Sequence, residues 1–143
     1  MANDVYPCYY VVMKIGFVGL GNMGSGMAKN LLSKNFGIVG FDVDSDKFTE
    51  LKSLGLQVTA SLADIAKGCK LVILCLPNPD TSRKVIEELL AENNGISTII
   101  ETSTLTPEIS KEFAEIIESK GKQFLSSPMI GGKNHAANGT IEF

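Results

Sequence analysis

The stretch Gly19-Leu20-Gly21-Asn22-Met23-Gly24 sets glycines at its first, third and sixth positions, at the end of an apolar run and at the mouth of a helix-period segment. That spacing suits an anion. Gly19 allows a tight turn, Gly21 removes a side chain where backbone must approach a pyrophosphate, and Gly24 lets helix pack close to strand. The free N–H groups of the helix start then face the charge, with the helix dipole behind them. The following apolar run ends in Asp42. From Lys14 to Asp42 the unit holds 29 residues, close to the ~30 of a dinucleotide-binding βαβ. A carboxylate at that point accepts hydrogen bonds from both adenosine ribose hydroxyls and repels a 2′-phosphate, so the cofactor expected is NAD rather than NADP.

These residues need a parallel sheet to hold them. Apolar runs suited to strands recur at Lys14 to Gly19, Gly37 to Asp42, Leu56 to Thr59, Leu71 to Leu76, Ser97 to Glu101 and Lys122 to Ser126. Most read as buried on both faces. Helix signals separate them. Asp44 or Ser45 can cap a segment with Phe48, Leu51 and Leu54 on one face and Gly55 beyond it. Ser61 and Asp64 resemble a capping box before a segment ending at Gly68. Pro79 and Asp80 open a helix with Val85, Ile86, Leu89 and Leu90 inward; Pro107 opens one with Ile109, Phe113, Ile116 and Ile117 inward and Gly121 past its end. The alternation predicts an α/β fold of three layers, doubly wound around a mainly parallel sheet in the Rossmann manner. Residues 13–143 form the domain, residues 1–12 an extension, and Ser126 to Phe143 a turn-rich tail.

Composition narrows the partners. With 143 residues, 44% hydrophobic and 20% charged, the chain can bury its own core. A net charge of -3 and a single arginine, Arg83, leave no basic stripe for nucleic acid. The apolar cluster Cys8 to Met13 is broken by Lys14, too soon for a membrane span. Cys8, Cys69 and Cys75 lack CxxC spacing and an even count, which fits a reducing, cytoplasmic setting, with Cys75 as a small core side chain. His135, the one histidine, has no ligand neighbours for a metal and reads as a solvated loop residue. Ser103 and Ser127 have no histidine partner for a nucleophilic triad. Met23 and Met27 pack with Leu31, and Glu112, Glu115 and Glu118 form a solvated helix face.

On these residues the chain resembles the β-hydroxyacid dehydrogenases, the family of 3-hydroxyisobutyrate dehydrogenase. Met13 to Leu32 resembles the family's opening, Cys75 to Asp80 its fourth-strand loop, and Glu101 to Pro107 its D-x-S-T-x-x-P segment. The resemblance implies an NAD-dependent oxidoreductase acting on a small 3-hydroxy acid. Gly19 to Gly24, Asp42, Leu76, Pro77 and Thr104 would hold the cofactor, and Ser103, Gly131 and Gly132 would meet the substrate. Ile130 stands where the family carries a serine for the substrate carboxylate. The family's catalytic lysine lies in a later G-x-G-x-x-x-K-x-x-x-N helix, which Lys133 does not match and which this chain ends before. No catalytic residue is therefore assigned. The chain is expected to bind NAD without turnover, as a cofactor domain of such an enzyme. The alternatives are an NAD-sensing module, or a relative acting on glyoxylate, sugar acids or imines. Apolar Met129, Ile130 and Ile141 would be exposed or would mediate self-association as a homo-oligomer.

Overall fold

The computed structural model describes residues 13–91 and 94–143. The N-terminal extension with Cys8 lies outside them. Six strands, β1 (Lys14–Val18), β2 (Gly37–Phe41), β3 (Gln57–Val58), β4 (Leu71–Leu74), β5 (Thr98–Glu101) and β6 (Gln123–Ser126), form one sheet in the order β3-β2-β1-β4-β5-β6. Every pair is parallel. The order reverses between β1 and β4, which is the doubly wound arrangement with its crevice at that point.

Helices α1 (Asn22–Ser33) and α2 (Phe48–Ser53) cover one face, joined by α6 (Lys133–Asn138); α3 (Leu62–Gly68), α4 (Pro79–Leu90) and α5 (Pro107–Glu118) cover the other. Two cores result. Phe17, Leu20, Ile38 and Leu51 anchor the first, and Ile65, Leu74, Ile86, Ile99 and Phe113 the second. The helix starts follow local chemistry: side chains of Ser61, Asn78 and Thr106 cap α3, α4 and α5, the last two with proline in the first turn. Asp44 is the residue that caps, through a 3-10 turn over Ser45–Lys47 that leads into α2.

Several expectations need correction. Of the strands only β1 is buried on both faces; β2, β4 and β5 alternate buried with half-buried residues, and of the sheet edges β3 is exposed and β6 partly exposed. Leu54 follows the last turn of α2 and is 44% exposed, so it does not share the buried face of Phe48 and Leu51. Glu112 is solvated but not unpartnered: both its oxygens also receive the Arg83 guanidinium, at 2.7 and 3.0 Å, tying α4 to α5. The tail is not merely turns. Residues Lys133–Asn138 form α6, with His135 in its first turn accepting a hydrogen bond from Gly132 N–H through Nδ1 at 3.1 Å. Ala136 is buried against Gly26 of α1, where an added Cβ would lie 2.9 Å from the Ala137 amide nitrogen. Met129 and Ile141 pack onto the first core, which leaves Ile130, 67% exposed, as the outward residue of the three.

Candidate functional site

The carboxyl ends of the strands are brought level by register. Val18 lies beside Phe41 and Leu74, Leu74 beside Glu101, and Glu101 beside Ser126. One residue further on, Gly19 donates its N–H to Phe41 O, Cys75 to Val18 O, and Thr102 to Leu74 O, so the sheet's bonding continues into the loops. A cleft of about 850 Å³ runs along this edge, from Asp42 and Val43 past the glycine turn to Leu76, Pro77, Ser103, Thr104 and Met129. That is ample room for an extended organic cofactor.

The three glycines have separate physical roles. Gly19 sits at φ +93° with the Cys75 carbonyl where a Cβ would be, so the turn needs glycine for both space and conformation. At Gly24 an added Cβ would strike the Gly19 carbonyl and approach a Phe17 ring carbon at 3.2 Å, which fixes the helix close against β1. Gly21 differs. A Cβ there meets nothing within 4 Å: it would stand in open space at a residue that lines the cleft. No side chain caps α1, in contrast to α3, α4 and α5, so its first donors are left for whatever anion occupies the cleft.

Asp42 stands at one end. Its Oδ2 accepts from Leu20 N–H at 2.7 Å and its Oδ1 from Asp44 N–H at 2.9 Å, which locks the carboxylate at the rim while each oxygen keeps a further lone pair. Lys47 also lines this end, 3.8 Å from Asp44. Val43 is 95% exposed beside it, an apolar surface at the mouth. At the other end the lining is Leu76, Pro77, Ser103, Thr104 and Met129, with Cys75 below. Burial first of all pushes the Cys75 thiol above its ordinary value, a shift the Thr102 hydroxyl opposes and the Glu101 charge reinforces. It is therefore a protonated thiol at neutral pH.

Gly19, Gly21, Asn22, Met23, Gly24, Asp42, Leu76, Pro77, Ser103 and Thr104 thus all face one cleft, with Leu20 bound to Asp42 just behind it. Gly131 and Gly132 do not line it. Both are exposed, ahead of α6, with Gly131 at φ +134°. Met129, expected to be exposed or self-associating, lines it too, and Val43, Lys47, Asn78 and Thr81 also belong to the lining. Their nearness to Asp42 or to the start of α4 was the available signal. Among the described residues no group of three or more histidines, cysteines or acids could hold a metal, and no helix is long and apolar enough to cross a membrane.

Residues 14–143 match the family described as the NAD binding domain of 6-phosphogluconate dehydrogenase. The chain belongs to that family. The cofactor of this NAD-binding domain is accordingly NAD. Among curated proteins it is 38% identical over 136 residues to mitochondrial 3-hydroxyisobutyrate dehydrogenase of Rattus norvegicus, covering 90% of this chain and 39% of the rat protein. It is 33% identical over 135 residues to glyoxylate/succinic semialdehyde reductase 1 of Arabidopsis thaliana, covering 46% of that protein. Among solved structures, 3-hydroxyisobutyrate dehydrogenase of Mycobacterium tuberculosis with L-serine superposes with a TM-score of 0.84 at 28% identity, covering 91% of this chain and 45% of that one. The NAD-binding domain described here thus spans less than half the length of these relatives.

Proposed function

We propose that this NAD-binding domain is the cofactor-holding part of an oxidoreductase of the 3-hydroxyisobutyrate dehydrogenase type. The observation that carries the reading is the continuous cleft from Asp42 to Thr104 across an uncapped α1, open at Gly21. Asp42 would take the adenosine ribose hydroxyls, the first turn of α1 the pyrophosphate, and the Leu76 to Thr104 end the nicotinamide. The bound dinucleotide supplies hydride transfer to or from the hydroxyl-bearing carbon of a short acid. A short aldehyde acid is the alternative substrate, supported by the likeness to the Arabidopsis reductase.

Turnover is a separate matter. Removing hydride from an alcohol also requires a base for the hydroxyl proton. The titratable side chains lining the cleft are Asp42 and Lys47, at the ribose end, and Cys75, whose thiol stays protonated. Ile130 offers no hydroxyl to a substrate carboxylate. The proposal is accordingly that the chain alone binds the dinucleotide without turning over substrate. Calorimetric titration with NADH should show binding by the parent and its loss in Gly21→Val, which adds a branched side chain where even a Cβ stands in open space beside the cleft. Absorbance at the same time should show no NADH formed from NAD and 3-hydroxyisobutyrate. Undiminished binding by Gly21→Val would move the site elsewhere; turnover of roughly one per second, an ordinary enzyme rate, would mean the chain holds its own base.

A further inference from the structure

Strands β4 and β5 end level, with Leu74 beside Glu101. Beyond that point one main-chain bond, from Thr102 N–H to the Leu74 carbonyl, continues the pairing, and hydroxyl side chains carry it further. Thr102 donates both its N–H, at 3.0 Å, and its Oγ1, at 2.8 Å, to the Leu74 carbonyl. Ser103 then bonds Leu76 twice: its Oγ donates to the Leu76 carbonyl at 2.9 Å and accepts from the Leu76 N–H at 3.3 Å. One hydroxyl thereby satisfies both main-chain groups of Leu76, as a neighbouring strand would. Among the described residues the Leu76 main chain makes no other hydrogen bond. Pro77 has no N–H to contribute, and the chain is next tied down at Asn78, whose side chain caps α4 through Thr81 N–H at 2.8 Å. Ser103 is itself fixed from beneath, its N–H donating at 2.9 Å to Oε1 of the fully buried Glu101.

We infer that Ser103 is a positioning residue for the cofactor: through Leu76 it holds the Leu76-Pro77 shelf in place against the half of the dinucleotide remote from Asp42. This rests on the NAD reading above. The placement follows from sheet order, since β4 lies on the side of β1 opposite to β2 and Asp42. The hydroxyl's one proton is committed to the Leu76 carbonyl, so Ser103 has none to donate to a substrate carboxylate.

The test uses two probes, NADH and ADP, titrated calorimetrically into the parent, Ser103→Ala and Ser103→Thr. Ser103→Ala should weaken NADH on the order of fivefold, the worth of one net hydrogen bond, and leave ADP within about twofold. Ser103→Thr keeps the hydroxyl and should restore NADH affinity. Without any ligand, hydrogen exchange at the Leu76 amide should quicken in Ser103→Ala and not in Ser103→Thr. A parallel loss of NADH and ADP in Ser103→Ala would show a merely structural role and overturn the proposal, as would unchanged binding of both. Failure of the parent to bind either probe would instead overturn the NAD reading, and the Leu76 exchange rates would still decide whether the clamp exists.

Discussion

Replacing Asp42 with asparagine removes one charge from the rim of the cleft while keeping an acceptor for the Leu20 N–H that its Oδ2 now holds at 2.7 Å. The charge is what discriminates between dinucleotides. A 2′-phosphate of about two negative charges, roughly 5 Å from the carboxylate in a dielectric of ~40 to ~80, is repelled by about 1.5–3 kcal/mol. That corresponds to roughly ten- to a hundredfold. Lys47 on the same rim trims it, and so does salt, because Asp42 is half-buried rather than enclosed. The parent should therefore bind NADH at least ~10-fold tighter than NADPH. Asp42→Asn should close most of that gap, chiefly by binding NADPH better, and raising ionic strength should shrink the parent's own gap. Asp42→Ala should also lower the melting temperature, since the buried Leu20 N–H and the Asp44 N–H both lose their acceptor. The assay is nucleotide fluorescence or calorimetry for each pair. Equal affinities in the parent, or an unchanged NADH to NADPH ratio in Asp42→Asn, would refute the electrostatic argument.

Two further outcomes follow from packing and pairing. Gly26→Ala places a methyl 2.9 Å from the Ala137 amide nitrogen and 3.1 Å from the Ala136 methyl, so α6 must shift; a loss of about 1–3 kcal/mol by thermal melting is expected, with faster amide exchange confined to residues 133–139, and an unshifted melt would mean α6 does not dock there. The hydrogen bonds from Arg83 hold the Glu112 carboxyl below the ordinary carboxylate range, so the pair's contribution is complete above the unfolded value of about 4.3 and disappears as pH falls through the lowered folded value; the melting difference between parent and Glu112→Gln should accordingly be seen at pH 7 and vanish in acid, and a pH-independent difference would argue against the pair.

Much of the site was legible because its signals are local. The role of Gly19, Gly21 and Gly24 depends on spacing alone, since a strand, a turn and a helix start must follow one another within a few residues for backbone donors to converge. The inward faces of α4 and α5 were likewise readable, as Val85, Ile86, Leu89 and Leu90, and then Phe113 and Ile117, recur at helical period and are buried. Asn78 went unread as the α4 cap because Pro79 and Asp80 already explained the helix start.

What sequence could not reach lies in contacts between distant segments. Lys133–Asn138 has little intrinsic reason to be a helix; it is six residues long, shorter than an isolated helix can sustain, and exists because Ala136 finds the flat surface that Gly26 leaves on α1. Glu112 is 29 residues from Arg83, and nothing periodic predicts their meeting. The same holds for the main-chain partners of Asp42 and Ser103, Leu20 and Leu76, which lie 22 and 27 residues away in sequence. Sequence by itself determined that a carboxylate and a hydroxyl would lie at the carboxyl end of a parallel sheet, because both follow apolar runs that alternate with helices and so run in one direction. Only the tertiary structure decided what those groups are bonded to, because a hydrogen bond is made or lost within half an ångström, a precision that comes from packing rather than from pattern.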